Sequence, residues 1–176
     1  MNDPQFFGYG SLVNTATHVY ANPVAAQLNG WRRNWCDIDA HPTALLSVEP
    51  ADGHILGLCA QVPGGDWAAL DARESGYGRV DTTALIAQQP VAGIATYQVA
   101  PHTHRGFDKP ILLSYLDVVI QGFLQIYGHA GAAHFFASTA GWNRPVLDDR
   151  AAPRYPRAQQ LTAVERREVD AGLAKI

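Results

Sequence analysis

The chain has 176 residues, 47% hydrophobic and 16% charged, enough to enclose one sizeable core, and it reads as a single domain over residues 1–176. Its net charge of −3 supplies no basic field for nucleic acid or an anionic membrane surface, and no apolar run is long enough to span a bilayer. Cys36 and Cys59 lie far apart and form no CxxC pair, which argues against a zinc or redox site and predicts two buried free thiols.

Without a basic flank and apolar stretch at the N-terminus, the expected setting is cytoplasmic. Residues 5–9 read as a strand broken by Gly8 and Gly10, and Asn14-Thr15 can cap a short helical turn. Val24 to Asp39 is a long strand-like run with Trp31, Arg33 and Trp35 on one face and a bend or bulge at Asn29-Gly30. Ala44–Val48 and Ile55–Val62 read as two strands joined by the turn Pro50-Ala51-Asp52-Gly53. Pro63-Gly64-Gly65-Asp66 is a turn, with Asp66 placed to cap a short helix carrying Trp67, Leu70 and Asp71. Val80–Ala87 and Val91–Val99 are two further β-rich runs separated by Gln-Gln-Pro.

After Pro110 the period changes. Ser114, Asp117, Gln121 and Gln125 form one narrow polar stripe on an otherwise apolar helix, which predicts a largely buried helix ended by Gly128. A second helix is expected over His129–Thr139, then an irregular arm from Trp142 to Pro156 passing over the surface. Thr162 and Glu165 form a capping box for a charged last helix. Strands first and helices later predict an α+β domain with a small, curled, mostly antiparallel sheet.

The break at Phe6-Phe7-Gly8-Tyr9-Gly10-Ser11-Leu12 asks for a reason. Glycine permits positive φ and close approach, and successive backbone N–H groups can cradle an anion. A dinucleotide fingerprint fails because Val13 stands where a third glycine is needed, and no lysine precedes Lys109 for a phosphate loop. Ser11 lies in no nucleophile elbow. His102, His104 and Asp108 could bind a metal, but an HxH in a loop is far more often solvated. His129 and His134 are five apart and so do not share a helix face.

A second unusual stretch is Leu70-Asp71-Ala72-Arg73-Glu74-Ser75-Gly76-Tyr77-Gly78-Arg79. Here a helix ends at a carboxylate and a glycine-rich turn follows. Desolvation beside a ring such as Tyr77 would raise the Glu74 pKa toward the range of a general base. The plainer reading pairs Glu74 with Arg73 or Arg79 on the surface.

Taken together, "FFGYGSL", "LDARESGY" and "LLSYLDVVIQG" make residues 5–127 resemble the γ-glutamylcyclotransferase family, and "DDRAAPRYPR" is similar to the tail of some members. The resemblance implies a small β-barrel with flanking helices. It also implies a γ-glutamyl substrate held by Phe6, Phe7, Gly8, Tyr9, Gly10 and Ser11, with Tyr115 as a further contact. Glu74 falls on the catalytic glutamate. The implied reaction is intramolecular cyclisation to 5-oxoproline with release of an amine, needing no metal or other cofactor. The partner is then a small γ-glutamyl molecule, not nucleic acid or membrane. One branch has Asn where this chain has Leu12, and the glutathione-degrading branch has Trp where Val13-Asn14-Thr15 stands, so the leaving group stays open. The competing reading is a binding or regulatory module that kept the cradle without turnover.

Overall fold

A computed structural model describes residues 3–87, 93–103 and 106–176. Strand β1 (Gln5–Gly8) is buried along its whole length, with Phe6 and Phe7 fully enclosed and the polar Gln5 buried with them. It lies between two neighbours, pairing antiparallel with β3 (Leu45–Gln61) and parallel with β6 (Ile94–Gln98). β2 (Val24–Cys36) runs antiparallel to β3, and β4 (Gly78–Asp81) runs antiparallel to β6. The short β5 (Ile86–Ala87) closes the order β4-β6-β1-β3-β2-β5. This path is open: no pair among the described residues joins its ends into a barrel.

The expected pair of strands over 44–62 is one continuous strand. The bend falls where Gly30 of β2, at φ 74°, stands opposite Ala51-Asp52-Gly53, between the pairs Asn29 with His54 and Trp31 with Pro50. A bulge rather than a hairpin turn absorbs the glycines, so both strands continue past it.

The apolar face of β2 turns inward as its alternation predicts, bringing Trp31, Arg33 and Trp35 into the interior. Arg33 is fully buried. Its Nε donates to the Tyr9 carbonyl at 2.8 Å, Nη1 to Ser138 Oγ at 2.8 Å, and Nη2 to the Leu56 carbonyl. The guanidinium also lies against the rings of Phe123 and Phe135. Burial pulls its pKa down to about 9, which fits a cation held by dipoles and ring faces rather than by a carboxylate.

Helix α1 (Ala68–Arg73) follows a turn in which Asp66 Oδ1 accepts from the Ala68 N–H at 3.0 Å. Helix α2 (Leu113–Ala137) covers the sheet and is broken at Gly128, where φ 67° and ψ −162° leave the helical region. The sequence signal for a stop at that residue therefore holds, with the second helical stretch following directly. β7 (Ile111–Leu112) pairs with β9 (Val146–Leu147), and β8 (Thr139–Ala140) pairs with β2, both in parallel. Helix α3 (Ala163–Leu173) starts at the Thr162–Glu165 capping box. Val91 and the Gln-Gln-Pro segment lie outside the described residues.

The arm does more than pass over the surface, because it satisfies the polar stripe of α2. Ser114 Oγ donates to Asp149 Oδ2 at 2.6 Å, Arg150 grips both oxygens of Asp117 at 2.7 and 2.8 Å, and Gln121 donates to the Gln160 carbonyl at 3.2 Å. Ser114, Asp117 and Gln121 are consequently buried, while Gln125 at the end of the stripe stays exposed. Arg144 adds a buried ion pair with Asp37.

Candidate active site

The loop after β1 is pinned from beneath. A 3-10 turn over Ser11–Val13 follows Gly10, and Asn14 then caps a second turn over Thr15–Thr17, its Oδ1 accepting from the Ala16 N–H at 3.0 Å. The Asn14 amide donates to the Val118 carbonyl at 2.9 Å and to Gln121 at 3.0 Å, so the loop rests directly on α2. That contact needs Gly122, where a Cβ would stand 2.6 Å from the Asn14 backbone nitrogen. Within the first turn, the Val13 and Asn14 N–H groups bond back to the Gly10 and Ser11 carbonyls. The N–H groups of Ser11 and Leu12 therefore have no partner inside that turn.

Neither Gly8 nor Gly10 adopts positive φ, contrary to the conformational reason expected for them. Close approach explains Gly10 instead: a Cβ there would lie 2.6 Å from the Tyr115 hydroxyl and 3.2 Å from Leu46 Cδ2. The tyrosine at the start of α2 is thus packed onto the loop. Its hydroxyl pKa is driven up by burial, with Tyr155 and Glu74 adding to the effect.

Two connected hollows open on this loop. A recess of about 30 Å³ is lined by Phe7, Gly8, Tyr9, Gly10, Ser11 and Leu12 on one side and by Glu74, Tyr77 and Tyr115 on the other. It shares Ser11, Leu46, Glu74, Tyr77 and Tyr115 with a cavity of about 370 Å³, whose further wall includes His41 and the arm residues Arg154 to Arg157. The tyrosines floor the recess through backbone carbonyls: Tyr9 Oη donates to the Tyr97 carbonyl at 2.7 Å and Tyr77 Oη to the Leu46 carbonyl at 3.0 Å.

Glu74 stands at the C-terminal end of α1, where its N–H bonds to the Leu70 carbonyl at 2.9 Å. Its side chain is 18% exposed, and its Oε1 lies 3.2 Å from Arg73 Nε. The remaining nitrogens of Arg73 are engaged by the loop, donating to the Thr17 carbonyl at 2.8 Å and to Thr17 Oγ1 at 3.0 Å. Burial raises the Glu74 pKa above its ordinary value despite Arg73 and Arg157, which pull the other way. Arg79, the other arginine considered as a partner, pairs with Asp71 at 3.1 Å instead.

The structure thus gathers Phe7, Gly8, Tyr9, Gly10, Ser11, Tyr115 and Glu74 around one hollow. Phe6 points elsewhere, making edge contacts with His18 and Tyr20. Arg73, which the sequence offers only as an ion-pair partner, and Arg154 and Arg157, which it places only in the tail stretch DDRAAPRYPR, also line the cavity. Asp108 is exposed, its N–H donating to Asp37 at 2.9 Å, and His104 lies outside the described residues. Among the described residues no group of three or more His, Cys, Asp or Glu side chains is placed to hold a metal, and no helix is long and apolar enough to cross a membrane.

No protein-family model and no curated protein matches the sequence. Among solved structures, YkqA from Bacillus subtilis aligns with TM-score 0.57 and 17% identity over 80% of this chain. The chain spans only 57% of that longer structure. A gamma-glutamyl cyclotransferase aligns with TM-score 0.57 and 13% identity over 95% of this chain and 98% of that one. An uncharacterized protein from Homo sapiens aligns with TM-score 0.58 and 14% identity over 94% and 97% of the two chains. The chain is thus an α+β domain that shares its overall fold with the gamma-glutamyl cyclotransferase structure.

Proposed function

We propose that this cavity cyclises a γ-glutamyl amine or peptide to 5-oxoproline, with Glu74 as the general base and then the general acid. The observation that carries the reading is a carboxyl of raised pKa facing the glycine loop across a recess. A purely structural glutamate would gain from full exposure or from a dedicated ion pair, whereas this one shares its arginine with Thr17.

The substrate's α-ammonium gives one proton to the Glu74 carboxylate. The freed amine attacks the γ-carbonyl carbon and a C–N bond forms; the bond to the departing amine breaks as Glu74-H returns the proton to it, and the ring nitrogen then loses its second proton to the regenerated carboxylate, which passes it to the released amine. Attack within one molecule removes the entropy cost of bringing two reactants together, so a fold that holds the substrate bent supplies much of the rate. The Leu12 N–H, unpartnered within the Ser11–Val13 turn, would meet the substrate carboxylate, and Tyr115, already bonded by the Ser11 N–H, would close the recess over it.

The test is incubation with a panel of γ-glutamyl amines and peptides, following 5-oxoproline by mass spectrometry. Release from at least one member, abolished in Glu74→Gln, is expected. A folded protein that turns over none of the panel overturns the reading.

A further inference from the structure

The two peptide groups that flank Leu12 are both held. Ahead of it, the Ser11 carbonyl accepts from the Asn14 N–H at 3.2 Å and from Thr17 Oγ1 at 3.0 Å. After it, the Val13 N–H donates to the Gly10 carbonyl at 3.0 Å, and the Leu12 carbonyl lies 3.0 Å from His18 Nε2. Together these contacts set the direction of the Leu12 N–H, on a residue that lines the recess opposite Glu74. Of the four partners, His18 is the one that titrates near neutral pH.

The His18 tautomer follows from its two contacts. Nδ1 accepts from the Tyr20 N–H at 3.3 Å, so that nitrogen keeps its lone pair and the ring proton sits on Nε2, donated to the Leu12 carbonyl. Phe6 of β1 meets the ring edge-on at 5.8 Å and Tyr20 lies tilted against it at 5.5 Å. The charged group that bears on the ring is the Arg73 guanidinium of α1. Phe6 is uncharged, and Tyr20, on which Asp66 and Glu74 bear, has its phenol pKa raised.

A second proton on the imidazole would set one N–H against another at Tyr20 and place a second cation beside Arg73. The ring must then turn away, and the Leu12 carbonyl loses its donor. Burial lowers the His18 pKa below its ordinary value of 6.5; the Leu12 carbonyl opposes that shift and Arg73 adds to it. The native contacts therefore favour the neutral ring, and whatever depends on them is complete above 6.5 and lost as pH falls through the folded value.

We infer that His18 is a positioning residue of this site: as a neutral imidazole carrying its proton on Nε2, it fixes the Leu12 carbonyl and with it the N–H that the substrate carboxylate would meet. This rests on the cyclisation reading for the identity of that carboxylate, while the support of the turn rests on the His18 contacts.

The experiment uses the full chain, with 5-oxoproline, the product common to every substrate of the proposed reaction, as the binding probe. His18→Phe keeps a ring against Phe6 and Tyr20 but removes the donor, whereas His18→Gln keeps an amide donor that does not titrate. Nitrogen NMR of the imidazole and of the Leu12 amide is recorded against pH. The affinity for 5-oxoproline is measured over the same range in the Glu74→Gln background, which removes the other carboxyl of the recess. The ring is expected to show the Nε2–H tautomer and to titrate below 6.5. His18→Phe should shift the Leu12 amide and weaken the probe about 5- to 10-fold, as for one lost hydrogen bond, with KM raised equally and kcat unchanged. His18→Gln should restore most of the affinity and make it independent of pH where the unmodified ring titrates.

An Nδ1–H tautomer, or a His18→Phe protein with unaltered Leu12 amide, affinity and KM, overturns the inference. An affinity in His18→Gln that falls with pH as before also overturns it, and this variant decides alone if His18→Phe does not fold. A Leu12 amide displaced in His18→Phe and restored in His18→Gln, with no binding or turnover in any form, upholds His18 as the support of the turn and overturns the cyclisation reading. Turnover whose KM ignores His18 upholds cyclisation and overturns the role of His18.

Discussion

Arg73 Nε lies 3.2 Å from Glu74 Oε1, yet Glu74 has a raised rather than a lowered pKa. Two effects compete on that carboxyl. An adjacent guanidinium favours the charged form, but this one also donates to the Thr17 carbonyl and hydroxyl, so its direction is set by the loop as much as by Glu74. Desolvation in the cavity wall is the larger effect. The pair therefore orients Glu74 toward the recess without holding it permanently as a carboxylate, which is the condition a proton shuttle requires.

Replacing Glu74 by Gln keeps the shape and removes the proton acceptor. Turnover of a γ-glutamyl substrate is expected to fall by about 10²–10⁴, with KM little changed. In the unmodified protein the base is lost as pH falls through the raised Glu74 pKa, so the acidic limb of kcat lies above the ordinary carboxyl value of 4.5. A raised folded pKa also means that this group favours the fold only while protonated, and that contribution fades as pH rises through the folded value. Thermal unfolding of Glu74→Gln should match the unmodified protein below that pH and equal or exceed it above, because glutamine mimics the protonated form; a large drop in Tm with nearly normal activity would make Glu74 a structural residue.

At Gly10 a single methyl group is enough to test the packing against Tyr115. In Gly10→Ala the new Cβ, 2.6 Å from the tyrosine hydroxyl, must push that side chain off the loop. Overpacking of this kind costs about 1–3 kcal/mol, and the displaced ring should raise KM at least tenfold. Gly93→Ala, where nothing among the described residues lies within 4 Å of an added Cβ, serves as the control and should leave KM unchanged. Equal behaviour of the two variants would remove the loop from the site.

Asp149 locks the arm to α2. Burial alone would push its carboxyl pKa up, but hydrogen bonds from Ser114 and Arg154 hold it below the ordinary range. Asp149→Asn should destabilise the protein by about 2–3 kcal/mol, the cost of leaving buried donors poorly matched. A depressed folded pKa contributes stability that is present at neutral pH and lost as pH falls through the folded value. The gap in unfolding free energy between the unmodified protein and Asp149→Asn should therefore narrow in acid. A gap independent of pH would mean that the charge on Asp149 does not anchor the arm.

Cys36 and Cys59 are buried and unbridged, and burial pushes both thiols up to about 12. The thiolate is the reactive form, so iodoacetamide at pH 8 should label neither in the native protein and both after denaturation. Rapid native labelling of either would show that its side of the core opens readily.

Much of the architecture follows from local rules that act within a few residues. The period of two in β2 sets its inward face, the Phe6-Phe7 pair of β1 takes a central place, Gly128 breaks α2, and Thr162 with Glu165 starts α3. The glycine loop and Glu74 were likewise visible as interruptions of those rules, since each breaks an element where packing alone gives no reason to.

Other features depend on groups distant in sequence. The turn expected at Pro50–Gly53 became a bulge because β2 supplies a partner on both sides of it. The polar stripe of α2 carries no sign of its partners in the sequence, and Ser114, Asp117 and Gln121 are covered by chain that begins more than a turn beyond the helix. The sequence by itself determined the elements, their inward faces and the two candidate segments, because periodicity, capping and glycine placement are short-range. Only the tertiary structure decided that Arg73 would divide itself between Glu74 and Thr17, that Gly10 would be needed for Tyr115, and that Arg154 and Arg157 would stand unpaired in the cavity wall. Each of those outcomes depends on burial and on which charges meet across the fold, and neither is a property of a local stretch of chain.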